Sequence, residues 1–477
     1  MINNENIDDT AKKLTKEIQC MSNYKNLYNE IQRIVASSAV KKDNFKSTLL
    51  EALKNNGGPL QSSEEKKSNV DLNYLKKAQI QWERRIHKSL NSMCNELNIP
   101  LARIRPSADK DELTDKWNEL STFDIDLSSY RPLYAPKDFL EVLFSVHDPA
   151  VKKQINEPKW EFSHIQIQVK TLEQLRTTYA ELAQGVALLG VNNDMPAAGK
   201  FVNLEAERTD FGEKVLSSNH APIAQEFLKR GAPRALRGRL WSLVLGSVVK
   251  DSDRKYYEEL KELVLQYDIM VDKLIIKDVQ LTASNDDQYF VFEDVLYKTM
   301  LCFSRDSEVL APVTTDRSAG GQVIHAILQG KPAALENTLV FPPSGVIPFH
   351  GFTMYATPFC YLYDDPCSMY FTFRAFYLRY WLRLHTVSSH EQGIVALCLL
   401  FERLLHGHLP PEQLLYLWDL ILGYDSLEII PLLAVTILSF RKENLLQVNN
   451  LVNVEAILAD LSSLKVMPLL QLALLKE

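Results

Sequence analysis

Apolar residues recur at helical spacing along most of this chain. Near its start, Leu14, Ile18, Met21, Tyr28, Ile31 and Val35 fall on one face of a 3.6-residue repeat. Leu72, Leu75, Trp82, Ile86, Leu90, Met93 and Leu97 form a second, longer stripe. Asn55-Asn56-Gly57-Gly58-Pro59 and the polar run 62–69 separate the two as a flexible connection. Beyond Pro100 the pattern is irregular, broken by Pro106, Pro132 and Pro136. It predicts helices over 137–146 and 172–182, and between them the alternation at 164–169 is the one clear strand signal. Gly, Asn and Pro over 190–200 then read as a linker.

The second half is nearly all helix by periodicity. Gly231 and Pro233 end a helix over 223–228, and Leu236, Leu240, Leu243 and Val244 restart an apolar face. The stretch 256–273 reads as one helix carrying Tyr257, Leu260, Leu263, Val264 and Tyr267, and 287–303 as another carrying Phe290, Phe292, Val295, Leu296 and Met300. The segment 304–349 is poor in pattern and rich in Gly and Pro, which predicts a long surface excursion. From Cys360 to Trp381 aromatic residues are dense, as expected for packing between helices. A short connection is expected over 409–417, and the apolar block 429–440 reads as a buried helix, being too short to span a bilayer. The fold class expected is all-α in two domains: a mostly helical region with its linker over 1–200, and a second helical domain over 221–475.

Composition narrows the function. With 477 residues, 46% apolar and 24% charged, the chain is long enough for two or three ordinary globular domains. A formal net charge of −7 argues against nucleic acid as a partner. Six cysteines at 20, 94, 302, 360, 367 and 398 contain no Cys-x-x-Cys pair, which suits reduced thiols in the cytoplasm. The polar start lacks a signal-peptide core, so membrane association is expected only through a partner. Several chemistries fail on their spacing. There is no Gly-x-x-x-x-Gly-Lys-Ser/Thr loop and no Gly-x-Ser-x-Gly elbow. His390-Glu391 lacks a second histidine, and His406-Gly407-His408 lacks a third ligand. No cofactor and no metal are expected.

Four segments carry a more specific signal. The first is Gly231-Ala232-Pro233 followed by Leu236-Arg237-Gly238 and Trp241; the second is Ile275-Ile276-Lys277-Asp278-Val279-Gln280-Leu281-Thr282. The third is Phe349-His350-Gly351-Phe352-Thr353-Met354, and the fourth is Leu417-Trp418-Asp419. In order and composition they resemble the TBC domain family, helical modules that accelerate GTP hydrolysis on Rab GTPases. Segments 89–97, 286–294 and 464–470 are similar to an atypical branch of it.

The resemblance implies a Rab-type small GTPase as partner, and it assigns roles. Leu281 stands where Ile-x-x-Asp-x-x-Arg-Thr has its arginine finger, and His350 where Tyr-x-Gln-Gly-Met has its glutamine, with Asp278, Thr282 and Gly351 completing the motifs. In that mechanism the arginine neutralises charge on the transferring phosphoryl group and the glutamine orients water. Leucine supplies no charge, which forfeits roughly 10³–10⁵ in rate, or about 4–7 kcal/mol. A neutral imidazole offers one donor and one acceptor, enough to hold a water, although a histidine satisfied by backbone or solvent is the plainer reading.

Arg305 and Arg317 are nearby cations able to substitute, or else solvated loop charges. Asp278 is expected to order its own loop or cap a helix. Leu281 and His350 are expected to share one groove. Trp241 and Trp418 are expected to be buried, with Arg237 and Arg239 reaching solvent or surface carboxylates. One departure is that a TBC domain places a helical pair near 409–417, so either the chain is a shortened form there or its C-terminal subdomain packs differently. The functions expected are a Rab-binding activator family member whose catalysis is compromised by both substitutions, or a non-catalytic Rab-binding adaptor or helical scaffold in membrane trafficking. Other proteins are expected to be recruited through the N-terminal helices.

Overall fold

The stripe ending at Leu97 forms a single helix, α1 (Asn73–Leu97), in a computed structural model that describes residues 73–135, 138, 142, 204–284, 290–310, 325–327, 338–340, 342–382, 409–459 and 464–474. Outside the described residues lie the 14–35 stripe, nearly all of the 137–146 helix, the 164–169 strand, the 172–182 helix, the linker and Arg317. On α1, Ala78, Trp82, Ile86, Leu90 and Met93 are buried at intervals of three and four. The helix stops where Asn98 takes a left-handed conformation, which asparagine tolerates.

The chain then runs into β1 (Ala102–Ile104) and α2 (Ser107–Asp115). After α3 (Leu204–Ser217), α4 (Ala221–Leu228) and α5 (Arg237–Leu245), the single helix expected over 256–273 proves to be two. Between α6 (Asp251–Gln266) and α7 (Met270–Ser284) lies β2 (Tyr267–Ile269), which pairs antiparallel with β1, Arg103 opposite Asp268. The reason is long-range. Asp268 accepts from Arg103 Nε at 2.8 Å and Lys273 Nζ at 2.6 Å, so a strand 165 residues away competes successfully with local helix propensity.

Helix α8 (Glu293–Arg305) packs on both α6 and α7. Within the expected excursion, β3 (His325–Ile327) pairs with β4 (Thr338–Val340), and Val346, Ile347 and Phe349 are buried. The end of that segment therefore belongs to the core, not the surface. Helix α9 (Pro366–Phe376) starts at Asp365, whose carboxylate accepts from the Ser368 N–H at 3.1 Å, with Pro366 at the first helical position. A π-helical turn, Tyr377–Trp381, continues it.

The expected connection at 409–417 is instead the first half of α10 (Pro411–Tyr424), with Pro411 in its opening turn. Helices α11 (Ile429–Phe440), α12 (Lys442–Leu446), α13 (Leu451–Ala459) and α14 (Val466–Leu474) follow. Helix α11 buries Ile429, Ile430, Leu433 and Ile437 but exposes Val435 and Leu438, so only one of its faces is core. The aromatic stretch packs as expected, with Trp418 5.0 Å from Phe376, 5.2 Å from Trp381 and 5.7 Å from Trp241. The described residues are mainly helical, and residues 78–130 share one apolar core with the C-terminal elements.

Candidate functional site

Along α7, Val271, Leu274, Ile275, Asp278, Val279 and Thr282 are buried, so an aspartate sits in the helix's apolar face. A buried carboxylate demands donors. Asp278 accepts from the Gly351 N–H at 2.7 Å, the Thr353 N–H at 2.8 Å and the Thr353 hydroxyl at 2.6 Å. Those N–H groups open the 3-10 turn Phe352–Tyr355 and have no partner within it. Asp278 therefore caps a helical turn, but one on another segment. Gly351 has φ 89°, a left-handed conformation that glycine adopts without strain.

The other end of this loop is held by Tyr134. Its carbonyl accepts the His350 N–H at 2.9 Å, and its hydroxyl donates to the Ile347 carbonyl at 2.7 Å. Its ring lies 4.9 Å from Trp82 and 5.8 Å from Phe349, centroid to centroid. No motif pointed to Tyr134, which lies far outside the segments that carry the resemblance.

Leu281 is one turn past Asp278 on α7 and half-buried. His350 stands beside the same aspartate, with Nδ1 3.7 Å from Asp278 Oδ1, too long for a hydrogen bond. That nitrogen is buried without a hydrogen-bond partner while the side chain is 39% exposed, so solvent reaches the rest of the ring. Asp278 thus ties the helix that carries Leu281 to the loop that carries His350. Lys277, four residues before Leu281, is half-buried. Nearby, the Asp126 carboxyl is held below its ordinary value first by the Ser128 hydroxyl and N–H, with a smaller electrostatic contribution from Lys277.

Arg305 is not a loop charge. It is buried in the last turn of α8, where Nη2 donates to Asp272 Oδ2 at 2.6 Å and to the Tyr267 carbonyl at 2.7 Å, and Nη1 donates to Asp272 Oδ1. The helix runs two residues further than the sequence pattern indicates, which carries the guanidinium into the interface with α7. Such a group is a fastener between helices and has no freedom to reach a bound nucleotide.

A second aspartate organises the other motifs. Trp241 and Trp418 are fully buried, as expected. Arg237 is buried as well, against expectation. Its Nε lies 3.0 Å from Asp419 Oδ2, and its Nη2 donates to the Ala232 carbonyl at 3.0 Å. Asp419 also accepts from the Trp241 indole N–H at 2.6 Å and the Ala232 N–H at 2.8 Å. Burial pushes its carboxyl up, and Arg237, the Ala232 N–H and the Trp241 indole oppose that. The signal was present in the sequence: an aspartate inside the apolar run Leu417-Trp418-Asp419-Leu420 requires a charged partner. Arg239 does reach the surface, where it pairs with Glu213 at 2.8 Å.

Among the described residues, no group of three or more His, Cys, Asp or Glu side chains is placed to hold a metal, and no helix is long and apolar enough to cross a membrane. Cys94, Cys302, Cys360 and Cys367 are free and buried, and burial raises every one of these thiols, Cys94 to about 11.

No protein-family model matches the chain. The human protein TBC1 domain family member 19 is 44% identical to it over 437 residues, which is 84% of this chain and 82% of that protein. The crystal structure of the Chlamydomonas flagellar RabGAP TBC domain aligns at 13% identity with a TM-score of 0.40, over 66% of this chain and 99% of that one. That second likeness is too distant to argue from.

Proposed function

The chain belongs to the TBC1 domain family, and from that premise we propose that it binds a Rab-type small GTPase at the face where Leu281 and His350 meet Asp278. The observation that carries this reading is the framework around Asp278. Three hydrogen bonds from Gly351 and Thr353 hold the His350 loop against α7, which supports reading the two segments as the frame of a two-finger site. The groups that would perform chemistry on that scaffold are replaced. Leu281 has no charge to offer a phosphoryl transition state, and Arg305 is committed to Asp272. His350 retains an imidazole able to donate or accept one hydrogen bond toward solvent or a ligand.

The function that follows is recognition of a GTPase with little or no acceleration of its GTP hydrolysis, an adaptor in membrane trafficking. It acts from the cytoplasm and reaches membranes through its GTPase, and its N-terminal region recruits other proteins. The deciding experiment is a binding screen of the full chain against a panel of Rab GTPases in both nucleotide states, followed by single-turnover hydrolysis for each hit. We expect at least one GTP-bound Rab to bind. Its stimulated rate should lie about 10³-fold or more below that given by an arginine-bearing activator. Absence of binding to every Rab in either state would remove the GTPase from this reading.

A further inference from the structure

We infer that Tyr134 is a positioning residue of this site: it holds the His350 loop from behind, so the N-terminal segment completes a site whose motifs all lie in the C-terminal half. In its bearing on a GTPase this inference rests on the function proposed above.

The loop between Ile347 and Thr353 is fixed at both ends. Asp278 takes the Gly351 and Thr353 N–H groups, and Tyr134 takes the His350 N–H on its carbonyl while its hydroxyl donates to the Ile347 carbonyl. His350 is thus the residue at which the two restraints meet. The Tyr134 hydroxyl and carbonyl together make both bonds that a strand neighbour would make, without any strand. Burial pushes the Tyr134 phenol well up, so it remains a neutral donor to Ile347 at any physiological pH.

Tyr134 is itself anchored. Its ring meets Trp82 of α1 edge-on at 88°, and the next residue, Ala135, donates its N–H to the Asp138 carboxylate at 2.7 Å while accepting the Asp138 N–H at 2.9 Å. Helix α1 in turn is seated in the core through Ala78, Ile86, Leu90 and Met93. The restraint on His350 therefore originates in residues more than 200 positions upstream, and it acts on the backbone, not on the imidazole.

The test uses the full chain with Tyr134→Phe, which removes one hydroxyl and keeps the ring, and Tyr134→Ala, which removes both. Amide hydrogen exchange is read across 347–353 and, as a control, across α9 and α10; affinity is read for a Rab that binds the wild type. For Tyr134→Phe we expect loop exchange on the order of five-fold faster with the control helices unchanged, and several-fold weaker binding. Tyr134→Ala should extend both effects; should it fail to fold, Tyr134→Phe decides. Unchanged loop exchange in Tyr134→Phe overturns the inference, as does an equal acceleration everywhere, which would make Tyr134 a general stability residue. Faster loop exchange with unaltered affinity also overturns the positioning role. If no Rab binds the wild type, the function proposed above fails, while the exchange arm still decides whether Tyr134 holds the loop.

Discussion

Asp419 and Asp278 solve the same local problem in different ways. Both sit on the apolar face of a helix, and both reach across to backbone N–H groups of a distant glycine-containing segment, Ala232 in one case and Gly351 and Thr353 in the other. Around Asp419 the remaining donors are a guanidinium and an indole, all sealed from solvent, so the cluster is complete. Around Asp278 the donors are neutral, and the nearby imidazole stands at 3.7 Å without bonding. One aspartate closes a core and the other props open a rim. The difference separates motif residues that close the helical frame, at Asp419, from those that order a loop at its half-exposed edge, at Asp278.

The comparison is broken most severely at Asp419. Asp419→Ala strands the buried Arg237 guanidinium and should cost about 3–5 kcal/mol, read as a shift in chemical denaturation midpoint. A near-neutral result would mean that the cluster does not hold α5 to α10.

At the rim, Leu281→Arg should raise hydrolysis by a bound Rab, by up to about 10³-fold at the lower end of the arginine-finger range, and by less if His350 misplaces the water. Single-turnover rates for wild type, Leu281→Arg, and Leu281→Arg combined with His350→Gln would show which position limits. No gain in either variant, with binding intact, would mean that the frame lacks catalytic geometry.

Asp278→Ala leaves the Gly351 N–H, the Thr353 N–H and the Thr353 hydroxyl without their acceptor and should cost about 2–3 kcal/mol, with faster amide exchange confined to 350–355. Exchange at wild-type rates in that loop would show that Tyr134 holds it without help.

Acid sensitivity supplies a smaller test, away from both clusters. Burial pushes the Asp268 carboxyl up, but Lys273, Arg105 and Arg103 outweigh it and hold it below its ordinary value. A depressed carboxyl contributes stability that is present above the unfolded value of about 3.9 and lost as pH falls through the folded one. Asp268→Asn should therefore lower stability at neutral pH and flatten its decline below about pH 4. An unchanged acid profile would show that the ion pairs on Asp268 do not help to hold β1 to β2. The smallest effect belongs to Arg239→Ala, whose ion pair with Glu213 is more than half exposed on the arginine side; less than about 0.5 kcal/mol is expected by thermal melting.

Much of the frame could be read in advance. The stripe on α1 and the burial of Trp241 and Trp418 follow from apolar spacing, and the order of the motif segments led to the family. Three readings went wrong for related reasons. The helix over 256–273 is interrupted because β1, far upstream, pairs with Tyr267–Ile269. Arg237 and Arg305 are buried because Asp419 and Asp272 wait for them across helix interfaces. In each case a partner from elsewhere in the chain overrode what local spacing or residue type alone would favour.

What the sequence determined by itself is whatever depends on neighbours three or four residues apart, or on the chemical identity of one side chain. Helical faces are of the first kind. The absence of charge at Leu281 is of the second, since no packing can give a leucine a guanidinium. Only the tertiary structure decided which donors satisfy Asp278, that Arg237 is a core residue, and that Tyr134, 213 residues from Ile347, grips the His350 loop. The physical reason is that burying a polar group is unfavourable until its partner is in place, and that partner is set by how helices pack, not by their periodicity.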